Sequence, residues 1–297
     1  MYKAHFRLFE LPFGITPDTS FFFACSNYQE ALNTLLVAAK AGEGFIKITG
    51  EVGTGKTLMC RKFLSALDDT FVTAYIPNPY LEPRTLMLAL ADELEITQSK
   101  GADQHQILKT INKRLLVLAR EGRRVILCLD EAQAMPLETL EALRLLSNLE
   151  TEKRKLLQIV MFGQPELDRK LQLDSIRQLT QRITFHYRLL PLTRDDLEFY
   201  VSHRLKVAGF AGTQLFGKDA IKQLHKASGG VPRLANILAH KALMATYGEG
   251  RHRVHARHVR VAAKDTLAAK KITWPWMCAG GMALFVAGIS LGWTFFQ

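Results

Sequence analysis

Residues 45–57 read Phe45-Ile46-Lys47-Ile48-Thr49-Gly50-Glu51-Val52-Gly53-Thr54-Gly55-Lys56-Thr57: a short apolar strand, a glycine-rich loop and the opening of a helix. In that context residues 50–57 form a Walker A phosphate-binding loop. Glycines at 50, 53 and 55 let the backbone wrap with its N–H groups turned inward. The helix start adds partial positive charge, Lys56 can reach the terminal phosphates, and Thr57 can offer its hydroxyl to Mg²⁺. The expected ligands are therefore ATP and Mg, with Gly50, Glu51, Val52, Gly53, Thr54, Gly55, Lys56 and Thr57 as the cradle.

Downstream of the loop, short β-branched runs alternate with helical periodicity, which is the pattern of a parallel sheet covered by helices on both faces. Strands are expected over 45–49, 71–76, 125–129, 157–162 and 184–189. Helices are expected over 56–66, 84–95, 104–120 and 137–149, where apolar residues recur every three or four positions. Past Leu192 only helical patterns remain, over 193–207, 217–227, 231–247 and 256–269. The expected organisation is an α/β nucleotide-binding domain over 1–192, a helical lid with a basic end over 193–271, and a membrane helix over 272–297.

The run Val125-Ile126-Leu127-Cys128-Leu129 has the continuous hydrophobicity of a strand buried on both faces, and it ends in Asp130-Glu131. Ligands of parallel sheets bind at the carboxyl ends of the strands. Asp130 is therefore expected to hold Mg²⁺ with Thr57, and Glu131 to polarise the attacking water. Gln164 follows the next strand and can contact the γ-phosphate or orient water. Arg182, before the fifth strand, and Arg233, at a helix start in the lid, can each neutralise charge as the γ-phosphate departs.

The composition bounds the rest. With 48% hydrophobic residues in 297, the chain has material for a large core, so disorder is not the default. The formal charge of +11 suits nucleic acid, anionic lipid or an acidic partner. Cys25, Cys60, Cys128 and Cys278 show no paired spacing and read as small packed hydrophobes. No amino-terminal signal peptide is visible, which places the bulk of the chain in the cytoplasm. From Ile272 to Gln297 there is no charged residue. A helix over that run would extend roughly 39 Å at 1.5 Å per residue, more than the ~30 Å of a hydrocarbon core. Trp274, Trp276 and Trp293 flank it, and Lys270 and Lys271 mark its cytoplasmic side, so a single inner-membrane pass is expected. Gly288 and Gly292 form a Gly-x-x-x-Gly pair suited to close helix packing.

Six segments together carry a resemblance: Leu11-Pro12-Phe13-Gly14, the loop 50–57, Leu129-Asp130-Glu131-Ala132-Gln133, Arg144-Leu145-Leu146-Ser147-Asn148-Leu149, Gly163-Gln164-Pro165-Glu166-Leu167 and Gly230-Val231-Pro232-Arg233. The chain resembles AAA+ ATPases of the family that includes the general secretion pathway A proteins and the biogenesis ATPase of the MSHA-type (type IV) pilus. That resemblance implies a P-loop AAA+ core with a helical lid, Gln164 as sensor 1, Arg233 as sensor 2, and ATP sites completed by a neighbour in a homo-oligomer. It implies Arg182 as the arginine finger, with Arg177 and Arg144 competing for the role. It also implies pilus or secretion assembly proteins as partners. Secretion-type members continue past the membrane span into a periplasmic peptidoglycan-binding region. With Gln297 last, the expectation here is the shorter pilus branch.

Arg251, Arg253, Arg257, Arg260, Lys264, Lys270 and Lys271 stand against Asp265 alone just before the apolar run, and suit anionic head groups. The same charges suit DNA phosphates, and a DNA-directed ATPase of the transposition-helper or initiator type is the rival reading. No segment resembles a base-reading helix. His252, His255 and His258 are spread around a helix and read as a solvated basic surface.

Overall fold

The structure, a computed structural model, describes residues 2–97, 101–152 and 154–269. The membrane helix expected over 272–297 lies outside the described residues. Among those described, no helix is long and apolar enough to cross a membrane.

Five parallel strands make one sheet: β1 (Phe45–Gly50), β2 (Phe71–Ile76), β3 (Arg124–Leu129), β4 (Leu157–Gly163) and β5 (Ile183–Leu189), in the order β2-β3-β4-β1-β5. Every residue of β4 is buried, as a strand with neighbours on both sides and helices on both faces requires. β5 lies at the edge and alternates between half-buried and exposed positions. The order has a direct consequence for function. β4 separates β1 from β3, so whatever follows β4 stands between the phosphate loop after β1 and the acids after β3.

Each expected strand is present. Two expected helices end three residues or more before their periodicity suggested. Leu137–Leu146 stops before 149 because Ser147 turns its hydroxyl back onto the Arg144 carbonyl at 2.6 Å, and Glu150 then pairs with Lys155 as an antiparallel bridge. Ala256–Lys264 stops before 269 because Lys241 grips both the carbonyl and the carboxylate of Asp265, at 2.7 and 2.8 Å. Two further helices, Ser26–Ala41 and Pro165–Leu171, flank β1 and follow β4.

The helical part consists of Arg194–Val207, Lys218–Ser228, Pro232–Gly248 and Ala256–Lys264. Residues from the start of the chain pack on it. Phe9 N–H donates to the Ala208 carbonyl at 2.9 Å, the Tyr2 hydroxyl meets His240 Nδ1 at 2.8 Å, and Phe13 stands edge-on to Phe216. One buried apolar cluster runs from a sheet face (Ile46, Ile48, Val160, Phe162) into these helices (Leu197, Leu224, Leu238); a second fills the other face around Leu127, Leu143 and Ile159. The junction is tight at Gly230, which has φ +76° and accepts from Leu192 N–H at 2.9 Å. A Cβ there would lie 2.1 Å from the Leu192 carbonyl oxygen, which only glycine avoids.

One surface expectation is overturned. His258 is fully buried rather than solvated: its Nδ1 accepts from the His255 N–H at 3.0 Å, capping the last helix, and its Nε2 meets Glu249 at 3.2 Å. The helix needs an acceptor at its exposed N–H groups, and the imidazole supplies one from inside the fold.

Candidate nucleotide site

The loop after β1 folds around its own glycines. Gly53 and Gly55 take φ of +81° and +91°, and a Cβ on Gly53 would come within 2.8 Å of Arg233 Cβ. The loop is held from behind by Tyr28, in Ser26–Ala41, whose hydroxyl donates to the Thr54 carbonyl, and by Thr54 Oγ1 on the Glu51 carbonyl at 2.8 Å. Burial pushes the Tyr28 phenol well up, so it stays a donor. Val52 and Glu51 face outward, with Glu51 3.8 Å from the Arg188 guanidinium.

Lys56 is almost wholly buried, and its ammonium donates to the Gly50 and Glu51 carbonyls at 2.9 and 3.0 Å. Burial draws its pKa down, opposed by Glu131, Asp130 and Glu51. A buried cation bound only by neutral carbonyls among its direct partners is suited to anionic oxygens.

β3 delivers Asp130, 2% exposed, against this loop. Thr57 Oγ1 donates to Asp130 Oδ2 at 2.6 Å, and Glu131 N–H donates to Oδ1 at 2.9 Å. Burial pushes the Asp130 carboxyl up, against those two hydrogen bonds. A hydroxyl beside a desolvated carboxylate is a hard oxygen donor pair of the kind Mg²⁺ takes, and a cation there would offset the desolvation. Thr57 and Asp130 therefore fit the metal that the sequence implies.

Glu131 follows in the left-handed region at φ 53°, an unusual backbone for a residue with a side chain. Its Oε2 accepts from the Gln164 amide at 3.1 Å and from the Gln133 amide at 2.5 Å. Gln164 thus sits beside the acid, as the insertion of β4 between β1 and β3 requires.

Arg233 opens the helix Pro232–Gly248 against the loop, with its N–H donating to the Gly53 carbonyl at 3.2 Å. One cleft brings together Gly53, Lys56, Thr57, Glu131, Gln164 and Arg233. Its far wall is made by residues without an assigned role in the sequence: Ile15, Pro17, Tyr200 and Asn236, with Arg204 behind them. Arg204 is buried, donates to the carbonyls of Pro12 and Gly14 and to the Tyr200 hydroxyl, and lies 4.5 Å from the centre of the Phe21 ring. The segment 11–14 is thereby tied to the lid. An apolar recess lined by Phe21, Phe22, Leu58 and Pro232 opens beside Gly55. Tyr28 and Arg204 occupy core-facing helical positions, and that packing pattern was their only signal in the sequence.

Arg182 is elsewhere. It precedes β5, where Ile183 pairs with Phe45 at the start of β1, while Gly50 at the end of β1 pairs with Leu189. The phosphate loop is thus roughly 16 Å or more away along the strand. Arg182 donates to the Ser147 hydroxyl, which belongs to the segment 144–149. Arg144 pairs with Glu141 at 3.2 Å, and Arg177 is exposed at the head of a short helical turn. None of the three belongs to the residues lining the same-chain cleft.

Residues 39–171 match the AAA domain family. The whole chain aligns with General secretion pathway protein A of Aeromonas hydrophila at 40% identity, and spans 54%, about half, of that relative's length. Among solved structures, Cdc6p from Pyrobaculum aerophilum aligns with a TM-score of 0.68 and 21% identity over 84% of this chain and 71% of its own. The ORC2 protein of Aeropyrum pernix, solved in complexes with ADPNP and ADP, aligns at 0.63 and 18% over 86% and 73%. At those identities the two structures speak to fold alone.

Proposed function

We propose, from the premise that this chain carries an AAA ATPase domain and is similar over its whole length to General secretion pathway protein A, that it is a membrane-anchored ATPase serving assembly of an MSHA-type pilus or a related secretion machinery. The observation that carries the catalytic part is the meeting of Lys56, Thr57, Glu131 and Gln164 in one cleft at the carboxyl ends of β1, β3 and β4, with buried Asp130 hydrogen-bonded to Thr57.

Lys56 and the loop N–H groups hold the β- and γ-phosphates. Thr57 and Asp130 would hold Mg²⁺, which would supply neutralisation of phosphate charge. Glu131 orients a water for in-line attack on the γ-phosphorus and accepts its proton; the bond to the bridging oxygen breaks, and ADP leaves with that oxygen's electron pair. Gln164 donates to the transferring group. Arg182 acts from one protomer on the ATP of the next, and Arg233 conveys the change in nucleotide to the lid. The apolar run from Ile272 holds the assembly at the inner membrane with the ATPase domain in the cytoplasm. What supports the pilus or secretion role is the full-length similarity, together with the order of motifs.

The test is ATP hydrolysis by the full-length protein in lipid, with and without double-stranded DNA, beside the chain truncated before Ile272. The proposal expects no response to DNA and release from membranes on truncation. DNA stimulation that survives truncation would establish the DNA-directed reading instead.

A further inference from the structure

We infer that Gln133 is a positioning residue that ties Glu131 to Gln164 and keeps the carboxylate aligned while the Gln164 side chain turns to the γ-phosphate. The inference rests on Glu131 as the base in the reading above.

The geometry is a closed ring of hydrogen bonds. Gln133 Nε2 donates to Glu131 Oε2 at 2.5 Å, Gln133 Oε1 accepts from the backbone N–H of Gln164 at 3.0 Å, and the Gln164 side-chain amide donates to the same Oε2 at 3.1 Å. One amide therefore satisfies two different neighbours, and its orientation is determined by them. Flipped, it would set oxygen against carboxylate and N–H against N–H.

The support beneath Gln133 is firm. It stands in the short turn Ala132–Ala134, between buried Ala132 and buried Met135. Lys170, from the helix after β4, donates to the Met135 carbonyl at 2.7 Å. The turn begins at Glu131 in its left-handed conformation, so without an external hold the acid has a strained backbone and a free side chain.

The two amides differ in what they can do. Gln164 reaches Glu131 through its side chain, which in the reading above is also the group that donates to the γ-phosphate, so it cannot serve both fully. Gln133 reaches Gln164 through the main chain, which stays put when that side chain rotates. Gln133 then remains the donor on Oε2, and Oε1 takes the water proton. Glutamate at 133 would add like charge, methionine would remove both polar atoms at similar length, and asparagine would fall short by one methylene.

The experiment is single-turnover hydrolysis and ATP affinity for the full-length protein in lipid, comparing wild type, Gln133→Met, Gln133→Asn, Glu131→Gln and the Glu131→Gln/Gln133→Met double variant. Losing a hydrogen bond to a charged group should slow Gln133→Met about 10- to 100-fold, with ATP affinity and thermal midpoint close to wild type. The double variant should be no slower than Glu131→Gln alone, because both changes disable one unit. Should Gln133→Met fail to fold, Gln133→Asn carries the same comparison with a smaller loss. Wild-type turnover in the Gln133 variants, or a loss that multiplies with that of Glu131→Gln, overturns the inference. Wild-type turnover by Glu131→Gln alone would instead refute the base assignment beneath it.

Discussion

The two ends of the sheet are built differently. At the carboxyl ends of β1, β3 and β4, Lys56, Thr57, Glu131 and Gln164 line one cleft, with Asp130 hydrogen-bonded to Thr57 and Gln164 to Glu131. At the amino end of β5, the Arg182 side chain donates to the Ser147 hydroxyl and lies a full strand away from that cleft. The first end has what is needed to hold a nucleotide within one chain. The second offers a cation that, in the proposed mechanism, meets phosphate on another molecule. The difference teaches that binding is a property of the single chain, whereas turnover, in the proposed mechanism, is a property of an assembly.

Substituting Arg182 tests that contrast most severely. Arg182→Ala should lower turnover about 10³-fold in an assembled sample while ATP affinity holds, measured beside Arg177→Ala and Arg144→Ala. Unchanged turnover would remove Arg182 from the role, and a loss in one of the other two would reassign it. Glu131→Gln should cost about 10²-fold or more in hydrolysis yet retain nucleotide, since the phosphate cradle is intact. Lys56→Ala should act on the other quantity, weakening ATP binding itself about 10- to 100-fold by loss of charged hydrogen bonds. Equilibrium titration with a fluorescent nucleotide separates the two.

The smallest expected effect concerns stability. Burial raises the Asp130 carboxyl above its unfolded value, so its favourable contribution is complete below the unfolded pKa and is lost as pH rises through the folded one. At neutral pH the ionised side chain is therefore a cost to the nucleotide-free protein. Asp130→Asn should raise the metal-free thermal midpoint at neutral pH by about 2–4 °C, near 1 kcal/mol, with the gap narrowing as pH falls into the carboxylate range. A melting series that shows no gap, or one widening toward acid, would contradict this sign.

Legibility followed locality. The loop 50–57 is contiguous, and β3 and β4 announce themselves because strands buried on both faces carry no polar alternation. β5 was also readable, although its alternation as an edge strand did not reveal that its amino end faces away from the cleft. The helix 137–146 looked longer because Leu149 continues the apolar spacing, and a side chain hydrogen bond at Ser147, not periodicity, ends it. His258 looked like one more charge on a surface helix, and its burial depends on Glu249 and His255 meeting it in the fold.

By itself the sequence determined the class of fold and the chemical types at the nucleotide site, because hydrophobic periodicity and a contiguous glycine loop are short-range properties. Only the tertiary structure decided which groups act on one another. Tyr28 bears on a loop 26 residues on, Gln133 on a backbone 31 residues on, and Arg204 on a carbonyl 192 residues back. Hydrogen bonds act over about 3 Å of space and have no memory of chain separation. The strand order that inserts β4 between β1 and β3 is what converts those distances in sequence into contacts.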